Sequence, residues 1–164
     1  TLLRAMGHLW PAGHGSIRLP AARYLFLPQK PYLPIGTLRE ALSYPQAGDT
    51  YSAERYAQVL ETCRLPHLVA RLDEANHWQR MLSPGEQQRL AFARAMLYAP
   101  HWLYMDEATS AMDEEDEATL YQALIDQLPG LSIVSVGHRS SLKRFHPRHV
   151  RIDSGHLVEQ TVTA

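Results

Sequence analysis

Between residues 37 and 98 the apolar positions recur at helical spacing, as in Tyr56, Val59, Leu60 and Cys63, with no convincing strand among them. That pattern predicts helices near 37–43, 53–63, 66–72 and 84–98. The flanks read differently. Residues 2–9 form a short helical pattern closed by Pro11 and Gly13. Two short runs, 16–19 and 24–27, are apolar or alternating and bounded by Pro and Gly, as strands are. Pro28, Pro31, Pro34 and Gly36 then hold an extended loop, because proline disfavours helix in itself and in the residue before it. After Pro100 the chain predicts a buried strand at 102–105, a helix at 114–128 and a second buried strand at 131–136. A short helix from about Ser140 leads into strands at 150–152 and 157–159. Strands alternating with helices on both sides of a helical insertion imply an α/β fold with a largely parallel sheet. The expected organisation is one domain of two lobes, 1–36 with 100–164 as the sheet core and 37–99 as the helical lobe.

Composition narrows the setting. The chain has 164 residues, 16 Lys plus Arg against 17 Asp plus Glu, and 45% hydrophobic residues. A net charge of −1 supplies no basic balance for nucleic acid or anionic lipid. The single cysteine, Cys63, cannot form an internal disulfide, which favours a reducing compartment. No apolar run approaches the roughly 20 residues of a membrane span, and Arg4 interrupts the apolar start. A soluble chain in a reducing compartment is expected. The sequence opens at Thr1 directly in a helical pattern, which reads as a cut edge.

Two segments carry candidate chemistry. Trp102-Leu103-Tyr104-Met105 is a bulky strand that ends in Asp106 and Glu107. Ligands of parallel α/β sheets sit beyond the carboxyl ends of strands. Two acids there can divide phosphoryl transfer, one coordinating Mg²⁺ and the other orienting or deprotonating water. Taken alone, the same residues also make an acidic turn closing a core strand. The second segment is Leu82-Ser83-Pro84-Gly85-Glu86-Gln87-Gln88-Arg89. Ser83 suits the N-cap, Pro84 the first helical position, and Glu86 completes a capping box. Such a helix start suits an anion, although a cap alone is structural.

Together these segments change the reading, because the chain resembles the nucleotide-binding domain of ABC transporters. Residues 82–89 are similar to the signature motif, 103–107 to the Walker B strand, and Ser110-Ala111-Met112-Asp113 to the D-loop. Gly137-His138-Arg139 resembles the switch-histidine loop and Pro28-Gln29-Lys30-Pro31 the Q-loop, all in the family's order. The 31–39 segment, Trp78 and 136–142 resemble the peroxisomal fatty-acyl (subfamily D) half-transporters and their bacterial relatives, including peptide-uptake types. The resemblance implies a P-loop NTPase core with an inserted helical subdomain, ATP and Mg²⁺ as ligands, and ATP hydrolysis coupled to transport. It implies Glu107 as general base, Asp106 as the Mg²⁺ residue, Gln29 as sensor of Mg²⁺ and water, and His138 on the γ-phosphate. Ser83, Gly85 and Glu86 would address ATP on a partner subunit, and Asp113 would link the two sites. Thr1 matches the last hydroxyl residue of the phosphate loop, whose lysine and glycines would precede this sequence. Pro84 departs from the family's glycine and removes one N–H.

The resemblance also implies partners: a transmembrane domain, and a second nucleotide-binding domain in a head-to-tail dimer at the cytoplasmic membrane face. No nucleic-acid partner is expected. The alternatives are a soluble ABC-type ATPase, or a non-catalytic fragment lacking the phosphate loop. Among the remaining residues, the His146/His149 spacing is not expected to bind zinc for want of further ligands. Cys63 is expected in the core. Arg89 and Arg94 are expected to dress the signature helix, and Glu114 to Glu117 mainly to favour the dipole of the following helix.

Overall fold

Short apolar runs become strands here where a neighbouring strand completes their ladder. The computed structural model describes residues 2–7, 10, 13–19 and 21–160. In chain order, α1 (Leu2–Met6) precedes β1 (Tyr24–Leu27), and β2 (Gly36–Thr37) runs into α2 (Leu38–Ser43). Next come α3 (Ala53–Thr62), a 3₁₀ turn at Pro66–Arg71, β3 (Ala75–Asn76), α4 (Trp78–Met81) and α5 (Pro84–Tyr98). The last third holds β4 (Trp102–Asp106), α6 (Glu114–Gln127) and β5 (Ser132–Val136). A 3₁₀ turn at Ser140–Phe145 then leads to β6 (His149–Asp153) and β7 (His156–Gln160).

The central sheet has the order β1-β4-β5 and is parallel throughout, with Tyr24 opposite Trp102 and Asp106 opposite Val136. β6 and β7 do not extend it. They form an antiparallel hairpin whose turn residues Ser154 and Gly155 have φ of 48° and 83°, the positive pair that a two-residue hairpin turn requires. Residues 16–19, expected as a strand, are irregular, and Ile17 is exposed. Alternation alone does not make a strand without a ladder partner. The 37–98 region, expected to be free of strands, holds a two-residue ladder of β2 with β3, too short to show any period. It is fixed instead by long-range contacts: the Trp78 indole donates to the Gly36 carbonyl at 3.0 Å and the Arg39 N–H to Leu72 at 3.1 Å. Gly36 has φ 150°, and a Cβ there would lie 2.3 Å from Glu40, whose carboxylate caps α2. Residues 66–71 wind as 3₁₀ helix where a helix was expected, and α4 is one turn that the pattern did not reveal.

The pivot of the fold is α5. From Leu90 to Leu97 every residue is buried, because the helix packs on α2 and α3 along one side and on α6 along another. Such a position demands apolar residues on every side, and 90–97 supplies them except at Arg94. Two arginines expected on its surface have other duties. Arg94 is 6% exposed and donates to the carbonyls of Tyr32 at 3.1 Å and Ala41 at 2.5 Å. Burial pulls its guanidinium down to about 10. Arg89 donates to Asp116 at 3.0 Å, and Arg64 also pairs with Asp116 and reaches Glu115 at 3.1 Å, so the acids of α6 bind the helical region besides favouring a dipole. Cys63 is buried in the core as expected, and burial raises its thiol pKa.

Candidate functional site

The carboxyl ends of β1, β4 and β5 deliver three side chains to one place. Parallel pairing sets their level: β1 ends at Leu27, two residues before Gln29, β4 ends at Asp106, and β5 ends at Val136, two before His138. Glu107 leaves β4 with φ 50°, a left-handed conformation uncommon outside glycine, and its N–H donates to Val136 at 2.9 Å. The turn continues as the Ser110 N–H donates to the Glu107 carbonyl at 3.1 Å. Gln29 Nε2 donates to Glu107 Oε2 at 3.1 Å and lies 3.4 Å from Ser110 Oγ. His138 Nε2 stands 3.3 Å from Glu107 Oε1. The His138 side chain is 86% exposed, so this contact contributes little stability and leaves the ring free to meet another group. The structure therefore brings together Gln29, Glu107 and His138, with Asp106 at the adjacent strand end.

Behind these side chains lies a cavity of about 100 Å³ lined by Glu107, Thr109, Ser110, Glu117, His138 and Arg139, among others. The polar groups that line it are paired. Arg139 donates to the carbonyls of Met112 at 2.8 Å and Ser110 at 3.3 Å, which ties the loop after β5 to the loop after β4. Gln88, 3% exposed, donates to the Gln29 carbonyl at 3.0 Å and Ser110 Oγ at 3.2 Å, and accepts from the Ala111 N–H at 2.9 Å. One amide thus fastens α5 to the loops after β1 and β4. Arg139 and Gln88 fall inside the motif segments read from sequence, but neither was given a role there. Their partners lie 27 and 59 residues away in sequence.

The start of α5 is a separate feature. Ser83 Oγ accepts from the Glu86 N–H at 3.3 Å and donates to Glu86 Oε2 at 2.7 Å, and the Ser83 N–H donates to the same carboxylate at 2.9 Å. This is the expected capping box. His67 Nε2 adds a contact to Glu86 at 3.0 Å. Burial pushes the Glu86 carboxyl up, but the hydrogen bonds from Ser83 and His67 outweigh it and the pKa is lowered. The Gln87 N–H goes to the Ser83 carbonyl at 2.9 Å, and Pro84 has no N–H, which leaves that of Gly85 among the donors of the first turn. A Cβ on Gly85 would stand 3.1 Å from the Ala111 carbonyl, so glycine permits the close seat of α5 on this loop. Asp113 caps α6, accepting from the Asp116 N–H at 2.7 Å. Thr1 lies outside the described residues.

Metal coordination has limited material. Among the described residues no group of three or more His, Cys, Asp or Glu side chains is arranged to hold a metal ion. His146 Nε2 instead contacts Ser135 Oγ at 2.7 Å and His149 contacts the Lys143 carbonyl. Asp106 and the Gln29 amide offer oxygens only, a donor type suited to Mg²⁺ when phosphate oxygens and water complete the shell. Among the described residues no helix is long and apolar enough to cross a membrane.

Comparison with known proteins places this geometry. Residues 1–110 match the family described as ABC transporter. An uncharacterized ABC transporter ATP-binding protein of Haemophilus influenzae is 46% identical over 150 residues, covering 92% of this chain and 25% of that protein. The lysosomal cobalamin transporter ABCD4 of Mus musculus is 44% identical over 175 residues, covering 98% of this chain and 28% of that protein. The structure of a bacterial Atm1-family ABC exporter with ATP bound superimposes with a TM-score of 0.72 at 25% identity, over 84% of this chain and 24% of that one. The chain thus spans about a quarter of the length of these relatives.

Proposed function

The chain belongs to the ABC transporter family, and on that premise we propose that it is the ATP-binding and ATP-hydrolysing part of a membrane transporter. The observation that carries the reading is the carboxylate of Glu107 at the end of β4, with the Gln29 amide at 3.1 Å and the His138 ring at 3.3 Å. A carboxylate so placed can accept a proton from water held between it and a phosphate, while the amide and the imidazole fix that water's direction. Glu107 is the base, and His138 contacts the γ-phosphate. Asp106 and Gln29 are the residues that would hold Mg²⁺, Asp106 partly through water. When bound, the ion neutralises charge developing on the phosphate oxygens.

Ser83, Gly85 and Glu86 face ATP bound by a second nucleotide-binding domain in a head-to-tail dimer, and Asp113 lies between the two sites. Thr1 would contribute a hydroxyl near the α-phosphate where a phosphate loop precedes it. Residues 1–36 and 100–164 serve as the sheet core and 37–99 as the helical lobe. The loop after Gln29, with Tyr32 and Ile35 exposed at 59% and 74%, meets the transmembrane part at the cytoplasmic membrane face. Resemblance to subfamily D transporters, ABCD4 among them, supports the transporter reading over a soluble ATPase.

The test is Glu107→Gln in the full-length transporter. ATP binding is expected to persist while turnover falls by about 10²–10⁴-fold. Near-normal turnover would move the base elsewhere.

A further inference from the structure

Glu117 is a carboxylate sealed into the protein, 1% exposed, on the first turns of α6. Its position follows from the cap: Asp113 fixes where α6 begins, and the Glu117 N–H donates to the Asp113 carbonyl at 3.0 Å. Glu117 lines the same cavity as Glu107 and His138. There Oε2 accepts from Thr109 Oγ1 at 2.6 Å and Oε1 accepts from Ser141 Oγ at 2.9 Å. The Arg139 guanidinium stands 3.7 Å from Oε2. Thr109 lies two residues beyond Glu107, and Ser141 three beyond His138. One carboxylate therefore bridges both loops, Oε2 to Thr109 with Arg139 close by and Oε1 to Ser141.

A buried carboxylate is costly unless paired, and here every partner lies on one of the two loops that carry the reacting side chains. Packing alone would be served by an apolar residue of the same size.

We infer that Glu117 is a positioning residue that sets the distance between Glu107 and His138 by bridging Thr109 to Ser141 and Arg139. The inference rests on the hydrolytic reading above. It acts through His138: without the bridge the switch loop drifts, and misplacement of about 1 Å at a reacting centre costs up to ~100-fold in rate.

The experiment uses the full-length transporter and measures kcat and KM for ATP. Glu117→Met keeps the volume and removes both acceptors; its kcat is expected to fall about 10- to 100-fold with KM unchanged. Glu117→Gln keeps an acceptor for one hydroxyl and a donor to the other, and is expected to recover most of that loss. Combined with His138→Ala, Glu117→Met is expected to add no further loss. A Glu117→Met protein with normal kcat, a matching rise in KM, absence of rescue by Gln, or losses that multiply with His138→Ala would each overturn the inference. Where Glu117→Met does not fold, Ser141→Ala removes the bridge from the other side; it is expected to lower kcat alone, and normal kcat there overturns the inference equally. His138→Ala with normal turnover would instead overturn the hydrolytic reading, since Glu117 is intact in that variant.

Discussion

The strand-end cleft and the start of α5 are both polar and both made of motif residues, yet they are built on different principles. The cleft assembles Gln29, Glu107 and His138 from three strand ends, and its members touch only because parallel ladders hold them level. The start of α5 is a single local turn, in which Ser83 and Glu86, three residues apart, satisfy one another. A site of the first kind fails when any of several distant supports moves. A site of the second kind survives as long as its own turn does. The cleft is thus suited to chemistry that needs several groups in register, and the helix start to presenting a preformed surface to something arriving from outside.

The largest effect that can break this comparison is Glu107→Gln in the full-length transporter. Turnover is expected to fall about 10²–10⁴-fold in a rapid-quench assay, whereas nucleotide binding stays intact, so the loss is confined to the cleft. Next in size is a pair of engineered dimers carrying one Ser83→Arg and one Glu107→Gln substitution. Placed on opposite subunits, both lesions fall in one composite site and the other remains whole. Placed on the same subunit, they damage both sites. Steady-state ATPase activity is expected to survive only in the first arrangement, and equal activities would show that the start of α5 does not serve the partner's nucleotide.

A smaller effect tests whether the helix start is self-sufficient. Ser83→Ala removes the cap and is expected to lower stability by about 1 kcal/mol in a denaturant titration. The smallest effect is its pH dependence. The lowered pKa of Glu86 means that its contribution is complete above the ordinary carboxylate range, near pH 4.5, and fades as pH falls through the folded value. The difference between wild type and Ser83→Ala is therefore expected to shrink below pH 4.5 and to hold constant from pH 5 to 7. A difference that grew on acidification would show that the cap does not act through the Glu86 carboxylate.

What could be read from sequence divides along the same line. The Ser83–Glu86 cap, the β4 strand and the placement of two acids at its end are local, and the residue types state them. The resemblance then named Gln29 and His138, which the structure brings to within 3.3 Å of Glu107. Gln88, Arg139 and Glu117 were not legible, because their meaning lies in partners across the fold. Glu117 in particular read as one of four acids on a helix turn, and only tertiary packing turns it inward while Glu115 stays out with 82% of its side chain exposed. The ladder of β2 with β3 escaped for a related reason, since two residues cannot display a period and the Trp78–Gly36 bond that anchors them spans 42 positions.

The seat of Arg94 has a mechanical consequence. Its guanidinium, still charged at neutral pH, donates to two carbonyls, Tyr32 on the loop after β1 and Ala41 on α2, and lies 5.6 Å from the centre of the Tyr44 ring. Pulling that loop off α5 would cost the buried guanidinium its hydrogen bond to Tyr32, about 1.5–3 kcal/mol. The loop after β1 and α2 are therefore tied to α5 at one buried point, on the helix whose first turn begins at Ser83.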